Sequence, residues 1–453
     1  MDTNKNMVLL SQAPVPKALI KLGIPTMVGM MVSSLYNLVD AYFVGTLGTS
    51  QQAAVAAVFP VGLVMLGVGL LFGSGAGSYL SRLLGNGDKK KADECASTAL
   101  ALAVLSAIVF VGIMLAGINP LLRLLGCTET MLPYAREYAI PFIMGLIVNV
   151  VNVTLSNLTT NEGAPIYSMR AMLLGGLGNI ILDPLLIFVF HMGVFGAAIA
   201  TLLSRLLSLS SYLLYLFQKK SSLDYSLKNV HIEKKLLIQI AKIGIPTCIF
   251  QILCSVALSI TNNLAAPYGD AAIAALGIVN RITTFGYMTI MGFLKGYQTF
   301  VGFNYGAKSY KRMQDATKTM LLWTSCFCLL ASGTMFLFRV PLIQAFSKND
   351  PLLVSIGVKV LVLQACVFLT AGFQYVFTTK FLGMGKGMEG SLVSLGRQGF
   401  FFIPIVYIFT ASWGLNGLIL AQPVADFLSF ALIGILAFRN KKKEESLYLS
   451  AVL

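Results

Sequence analysis

Long apolar runs separated by short polar connections make up this sequence from residue 16 to residue 439. A helix of about 20 apolar residues crosses the hydrocarbon core of a bilayer. The pattern therefore predicts twelve membrane-spanning helices, and several runs are long enough to require tilts or kinks. The spans are expected at residues 16–45, 51–83, 92–118, 130–160, 166–190, 195–218, 237–266, 272–304, 313–338, 351–383, 388–410 and 414–439.

The two halves of the chain repeat each other. KLGIPT begins at Lys21, and KIGIPT begins 221 residues later at Lys242. The same offset pairs Gly48 with Gly269, Gly85 with Gly306, Gly193 with Gly414 and Gly196 with Gly417. Each half holds six spans, so both halves enter the membrane from the same side. A parallel repeat of this kind predicts two six-helix bundles related by a pseudo-twofold axis along the membrane normal, with a site between or within them.

The repeat also predicts a domain organisation. We expect a first bundle at residues 1–217, a cytoplasmic linker at 218–236, a second bundle at 237–440 and a cytoplasmic tail at 441–453. No polar stretch is long enough to bury a core of its own. The N-terminus lacks the short apolar region and small-residue cleavage site of a signal peptide, so the first span is expected to direct insertion.

Composition supports an integral membrane protein rather than a soluble enzyme. Hydrophobic residues make up 57% of the chain and charged residues only 11%, against about 25% charged in soluble domains. The net charge of +15 does not indicate nucleic-acid binding, because the Lys and Arg residues lie in short connections between apolar runs. Such residues set membrane topology.

The distribution of positive charge predicts the orientation. Lys and Arg concentrate at the two termini and in the even-numbered connections, which the positive-inside rule assigns to the cytoplasm. The odd-numbered connections hold only Arg123, Arg136, Arg339 and Lys348. Both termini are therefore expected in the cytoplasm. The basic linker QKKSSLDYSLKNVHIEKK is interpreted as a solvated connection that sets topology rather than as a binding patch.

The sequence shows no motif typical of a soluble enzyme. The chain has no G-x-x-x-x-G-K-[ST] loop, so ATP is not expected to power it directly. Seven cysteines and two histidines show no metal-ligand spacing, so no metal and no cofactor are expected. The glycine-rich GSGAGS at 73–78 lies inside an apolar span, where close helix packing explains it better than phosphate binding.

Two carboxylates lie inside predicted spans of the first half, Asp40 in YNLVDAYFVG and Asp183 in NIILDPLLIF. An Asp near a helix centre costs about 2.5–3.5 kcal/mol on insertion scales, so both are expected to face protein or water. Tyr36 and Asn179 each lie four residues before one of the acids and share its helix face. With Thr201 on the next span they predict one polar cavity. The alternative is that each Asp is a hydrogen-bonded packing group.

Pro184, directly after Asp183, is expected to act as a hinge. It removes one helical hydrogen bond and kinks the span, although a static kink absorbed by packing is the alternative. The equivalent of Asp183 in the second half is Pro404, a second candidate hinge, and the equivalent of Asp40 is Thr261. The repeat thus duplicates the scaffold but not the carboxylates, so ion coupling is predicted in the first half alone.

Other polar groups inside the spans carry weaker predictions. Arg281 and Lys295 lie on nearly one face of span 8 and are expected to pair with Asp426 or to reach an interface. Side chains of span 4 either line a pocket or join helices. The candidate substrate-binding residues are Tyr36, Asn152, Ser156, Asn157 and Met172.

Several stretches together resemble the MATE (multidrug and toxic compound extrusion) family, in its bacterial DinF-like branch. They are GIPTM, YNLVDAYFVG, RLLGNGD, NIILDPLLIF and GVFGAAIAT in the first half, and GIPTC and GFNYGA in the second. The resemblance covers nearly the whole chain. It implies two six-helix bundles around a central cavity and alternating access. It also implies that the coupling-ion roles fall on Tyr36, Asp40, Asn179, Asp183 and Thr201.

The resemblance further implies what the protein transports and where. The expected function is the export of organic cations or drugs by a monomer in the bacterial cell membrane, in exchange for H⁺. Coupling to Na⁺ at Asp40 and Asp183 is the first alternative. Transport of a cell-specific metabolite or flipping of a lipid-linked precursor is the second, although twelve spans and buried acids favour the antiporter. Cavity-facing Arg281 and Lys295 would repel cations and disfavour a purely cationic substrate range.

Overall fold

The computed structural model describes residues 2–127, 131–346 and 351–452, and within these ranges the chain is helical without strands. Spans 1–6 are Val15–Gly45, Thr49–Gly85, Lys89–Ala116, Leu132–Asn161, Pro165–Pro184 with a π turn at Leu185–Val189, and Gly193–Phe217. Spans 7–10 are Lys234–Ala265, Asp270–Gly306, Tyr310–Leu337 and Pro351–Gly383. Each is long and apolar enough to cross a membrane.

Spans 11 and 12 share one nearly continuous helical segment, Gly387–Asn440. Gly414 breaks it with backbone angles of φ 58° and ψ −135°, a left-handed φ that glycine tolerates best. The segment therefore contains two spans, 387–413 and 415–440. The predicted fold class, an all-α polytopic membrane protein with twelve spans, is confirmed.

Three short helices were not predicted. Ile118–Leu124 and Arg339–Gln344 follow spans 3 and 9 and begin 221 residues apart, so the repeat extends to them. The third, Asp2–Ser11, precedes span 1. Its fully buried Leu10 lies against the end of span 8, where Asn304 Nδ2 donates to the Leu10 carbonyl oxygen at 3.3 Å. The N-terminal segment is thereby attached to the second half of the chain.

Glycines bring the two halves into backbone contact at the end of the molecule that carries the termini and the even-numbered connections, here called the inner end. A Cβ on Gly85 of span 2 would overlap the carbonyl oxygen of Phe303 in span 8. A Cβ on Gly306 of span 8 would overlap the carbonyl oxygen of Arg82 in span 2. The two glycines are repeat equivalents, so the contact has the pseudo-twofold symmetry predicted from the sequence.

The same close approach continues towards the membrane centre. A Cβ on Gly244 of span 7 would overlap the Leu71 carbonyl oxygen of span 2, and one on Gly292 of span 8 would lie 2.7 Å from the Met27 Cα of span 1. Backbones approach this closely only where side chains are absent. The inner halves of spans 1, 2, 7 and 8 thus form a tight contact between the halves, here called the inner seam. The inner end is closed in this conformation.

The linker between the halves is bound to the first half. Glu162, just beyond span 4, is 1% exposed and accepts hydrogen bonds from Tyr215 Oη at 2.5 Å and Ser221 Oγ at 2.6 Å. The Ser222 backbone N–H and hydroxyl also donate to it, at 3.2 and 3.1 Å. Sequence analysis interpreted this segment as a solvated connection, and nothing in the loop sequence distinguished Glu162.

Burial raises the pKa of the Glu162 carboxyl, although the bonds from Ser221, Tyr215 and Ser222 partly lower it. A raised folded-state pKa means that this group stabilises the fold below its unfolded pKa of about 4.3 and that the contribution is lost as pH rises through the folded value. We expect the melting temperature of Glu162→Gln, minus that of the wild type, to increase between pH 4 and pH 8.

Thermal unfolding of the purified protein measures that difference, with Glu137→Gln at an exposed position as the control for the substitution itself. A difference that falls as pH rises would show instead that the ionised carboxylate stabilises the fold.

Candidate functional site

Asp183 and Asn179 lie on one face of span 5 and are 0% and 1% exposed. The Asn179 Nδ2 amide donates to Asp183 Oδ1 at 3.1 Å, one helical turn away. The i, i+4 spacing in the sequence produces this contact directly. It orients the carboxyl group and leaves its second oxygen available to another partner.

Asp40, on span 1, lies near Asp183. The Asp40 and Asp183 carboxyl groups lie close enough to share a hydrogen bond, and the two residues are here called the acid pair. Tyr36, one turn before Asp40, packs beside span 5, with its Cδ1 3.4 Å from the place of a Cβ on Gly176. The structure thus brings together four of the five predicted coupling residues.

Thr201, the fifth, is half-buried, and its hydroxyl donates to the Ala197 carbonyl oxygen of its own helix at 3.0 Å. Since a helical Thr commonly makes this bond, Thr201 does not contribute a free donor in this conformation.

Three buried oxygen atoms in this region have no hydrogen-bond partner, namely Asp183 Oδ2, Asn179 Oδ1 and Asn152 Oδ1. Buried polar atoms are nearly always paired, so orphaned ones point to a functional occupant. Oxygen acceptors fit a proton, a hard cation or the donor groups of an organic cation. Among the described residues, no group of three or more His, Cys, Asp and Glu is placed to hold a metal.

Arg205 of span 6 belongs to this region and was not identified from the sequence. Its guanidinium carbon lies 4.9 Å from the centre of the Phe142 ring, and its Nη1 is buried without a partner. The ionisable groups close enough to act on it are Asp40, Tyr36 and Tyr138. The available signal was an Arg four residues after Thr201, within a predicted span and on the same helix face.

Three of the four remaining predicted substrate-binding residues connect helices in this conformation, and the fourth, Asn157, bonds within its own helix. Asn152 Nδ2 donates to the Arg205 carbonyl oxygen at 2.8 Å. Ser156 Oγ lies 2.7 Å from Ser168 Oγ of span 5. Asn157 Nδ2 donates to the Val153 carbonyl oxygen, one turn earlier in span 4, at 2.8 Å. Met172 packs its sulfur against span 1, 2.8 Å from the place of a Cβ on Gly29.

Span 5 changes its helical geometry directly after Pro184. Residues Leu185–Val189 form a π turn, in which the Phe190 N–H donates to the Leu185 carbonyl oxygen at 3.0 Å. π turns hold an extra residue per turn and occur mostly at functional sites. The structure therefore places a local irregularity that begins two residues after Asp183, where the sequence predicts a hinge.

The second half also contains a π turn, Gly396–Phe400, four residues before the exposed Pro404. This turn carries Arg397, and its Nε donates to Asp426 Oδ1 at 2.6 Å. The prediction that Arg281 or Lys295 pairs with Asp426 is therefore wrong. Arg281 is exposed, whereas Arg397 is buried and sits on the helix that faces Asp426.

The Arg397–Asp426 pair has further partners. Gln422 Nε2 donates to Asp426 Oδ1 at 2.8 Å, Arg397 Nη1 bonds to the Tyr375 hydroxyl, and the guanidinium lies 4.6 Å from the centre of the Tyr287 ring. The pair is neutral as a whole and well satisfied, as a buried ion pair requires.

A groove with a volume of about 400 Å³ lies elsewhere in the second half, between spans 10 and 12. Its lining is Val358, Lys359, Val362, Leu363, Asn416, Ile419 and Leu420. A groove with one lysine and no carboxylate does not suit a cation, so size alone does not identify the site.

Two parts of the chain match the MatE family model, residues 25–185 and residues 246–408. The matches fall one in each half and together cover most of the sequence. The acid pair, Asn179 and Pro184 all lie inside the first match.

Similar proteins and structures extend over nearly the whole chain. "Multidrug export protein MepA" of Staphylococcus haemolyticus is 29% identical over 431 residues, 94% of each chain, and that of Staphylococcus aureus is 28% identical over 418 residues, 92% of each. A solved structure described as the outward-facing conformation of a multidrug resistance MATE family transporter matches with a TM-score of 0.91 at 26% identity, covering 98% of both chains.

Proposed function

Because this chain belongs to the MatE family of membrane transporters, we propose that it exports organic cations and drugs by alternating access in exchange for protons. The relatives named as multidrug export proteins support the substrate class. The observation that supports protons as the coupling ion is the closeness of the Asp40 and Asp183 carboxyl groups. Two carboxyls in contact cannot both ionise cheaply, so such a pair holds and releases one proton as a unit.

Proton and substrate compete for this pair. The deprotonated acid pair offers negative charge and, with Asn179, acceptor oxygens to a cation. Protonation removes that charge and lets a carboxyl donate a hydrogen bond. A transporter exchanges two ligands when each binds one conformation better than the other. The acid pair provides such a difference without any further group.

Pro184 links the acid pair to a movement. Pro184 has no N–H to donate, so span 5 lacks one helical hydrogen bond at this point. Rearranging the π turn that follows it changes the direction of span 5. Protonation of Asp183, one residue before Pro184, is proposed to favour a bend that narrows the cavity and expels the cation outwards. The inner seam must separate for the next substrate to enter from the cytoplasm.

Two alternatives stay open to the same experiment. Sodium coupling uses the same oxygens, since Na⁺ is a hard cation that oxygen ligands suit. Flipping of a lipid-linked precursor calls for several cationic groups in the cavity to hold phosphates, whereas two carboxyl groups and a single arginine, Arg205, lie in this region. The proposed location is the bacterial cell membrane, with the protein acting as a monomer and both termini in the cytoplasm.

Gradient-driven exchange in proteoliposomes tests this function. Purified protein is reconstituted with ethidium inside, and either a proton or a sodium gradient of equal size is imposed. The proposal expects ethidium exchange with the proton gradient alone. Exchange with the sodium gradient alone would identify Na⁺ as the coupling ion. Exchange with neither gradient would contradict the proposal of an ion-coupled exporter.

Thiol labelling in intact cells tests the orientation. In a background with the exposed Cys326 and Cys366 changed to serine, Lys441→Cys is expected to resist a membrane-impermeant maleimide, because the positive residues place this end in the cytoplasm. Arg123→Cys, in an odd-numbered connection, is the control and is expected to react. Ready labelling at position 441 would reverse the topology.

A further inference from the structure

A positively charged side chain, that of Arg205, lies near the acid pair. Arg205 reaches the region from span 6, with Asp40 as the carboxyl group acting on its guanidinium. No described carboxylate forms a salt bridge with it, and its Nη1 is buried without a hydrogen bond. A guanidinium with a buried, unpaired nitrogen is costly unless nearby negative charge compensates it. Asp40 of the acid pair supplies negative charge here.

The charged groups near the acid pair are few. Tyr138 of span 4 is 5% exposed, and the ionisable residues that act on it most strongly are Asp40, Arg205, Asp183 and Tyr36. The charged side chains among these residues are two carboxylates and one guanidinium.

We propose that Arg205 fixes the charge that this site exchanges, so that each cycle moves one monovalent cation against one proton and no net charge. The inference rests on the proposed function and adds its stoichiometry and the charge of its substrates. With both carboxylates ionised the three groups sum to one negative charge. One proton brings the site to neutrality, and one monovalent organic cation does the same.

Neutral occupied states are favoured because an uncompensated charge beside the fully buried Asp183 is expensive. Without Arg205 the ionised site would carry two negative charges, and its best ligand would be a dication or two monovalent ions. In the second half, the ion pair of Arg397 with Asp426 is neutral as a unit.

One contact of Arg205 does not depend on its side chain. The bond from Asn152 goes to the backbone carbonyl of Arg205, so it does not depend on the side chain. Arg205→Gln keeps a polar side chain of moderate length and removes the charge, whereas Arg205→Lys keeps the charge and removes the planar guanidinium. The two variants therefore separate charge from packing.

Two fluorescent dyes that share a phenanthridinium ring test the inference, ethidium with one positive charge and propidium with two. Binding of each to the purified protein is measured at pH 9 by fluorescence anisotropy. The ratio of propidium affinity to ethidium affinity is expected to rise about tenfold or more in Arg205→Gln, since the added charge then finds a partner. In Arg205→Lys the ratio should stay within about twofold of the wild type.

Exchange in proteoliposomes gives a second readout. A potassium diffusion potential of either sign is expected to leave the rate of wild-type ethidium–proton exchange unchanged and to alter that of Arg205→Gln. If Arg205→Gln does not purify in a single dispersed form, Arg205→Met provides the uncharged variant.

An unchanged dye ratio in the uncharged variant, or a wild-type rate that follows the potential, would overturn the inference while leaving proton-driven export intact. A wild type that binds neither dye, and that exchanges no ethidium under either a proton or a sodium gradient, would instead contradict the proposed function and this inference with it.

Discussion

Asp183→Asn is expected to abolish proton-driven export, with the rate falling to that of liposomes without protein. Asparagine has nearly the size of aspartate and keeps an oxygen to accept the Asn179 bond, but it can neither release nor take up a proton. Asp40 would lose the neighbouring carboxyl with which we propose that it shares a proton. Ethidium efflux from proteoliposomes under a proton gradient measures the loss.

Pro404→Ala is the matched control. It changes the residue that the repeat places at the equivalent position in the second half, where no carboxylate stands. Because Pro404 is exposed and carries no proton, a partial reduction is expected. Equal and mild losses in both variants would remove the case for a coupling site in the first half.

Gly306→Val is expected to stop transport by a different route. A Cβ at this position overlaps the Arg82 carbonyl oxygen across the inner seam, so the closed inner end cannot form in its present geometry. Overpacking costs typically about 1–3 kcal/mol, and 2 kcal/mol shifts a two-state equilibrium about 30-fold. The variant should accumulate with its inner end open.

Accessibility of Ser78→Cys measures that shift. The Ser78 side chain is fully buried in the wild type and donates to the Leu382 carbonyl oxygen at 2.5 Å. An impermeant thiol reagent added to inside-out vesicles should label it faster in Gly306→Val than in the wild type. Gly333→Val, where a Cβ meets nothing within 4 Å, is the control. Transport unchanged in Gly306→Val would show that the seam is not a gate.

The spans and the acid pair were predictable because their physical signals are local. The position and length of each apolar run determine a span. Span 10, for example, begins and ends where the hydropathy pattern predicted, at Pro351 and Gly383. That the intramembrane carboxylates face protein or water was predictable, because exposing a carboxylate to lipid is costly. Their meeting followed from the polar partners one turn away on each helix.

The pairing of Arg397 with Asp426 was not predictable from the sequence. The two residues are far apart in the chain, and the π turn at Gly396–Phe400 sets the register in which they meet. Spacing within one helix drew attention to Arg281 and Lys295 instead. Contacts between helices depend on packing, which periodicity does not encode.

The contacts of Arg205 and of the inner seam were likewise not predictable from the sequence. A single arginine in a span does not reveal that it stands over Phe142 and near Asp40. The repeat identified Gly85 and Gly306 as equivalent residues, but not that each approaches the backbone of the other half. Glu162 resembles an ordinary loop residue until the linker folds onto it.

Ethidium binding to the purified protein between pH 5 and pH 9 tests the central claim most directly, because it requires neither a membrane nor a gradient. If substrate and proton compete at the acid pair, wild-type affinity should rise with pH, by up to about tenfold per unit where one proton is released, and Asp183→Asn should give a flat profile. A wild-type affinity that does not change with pH but responds to Na⁺ would contradict proton coupling. An identical rise in Asp183→Asn would show that the titrating group lies elsewhere.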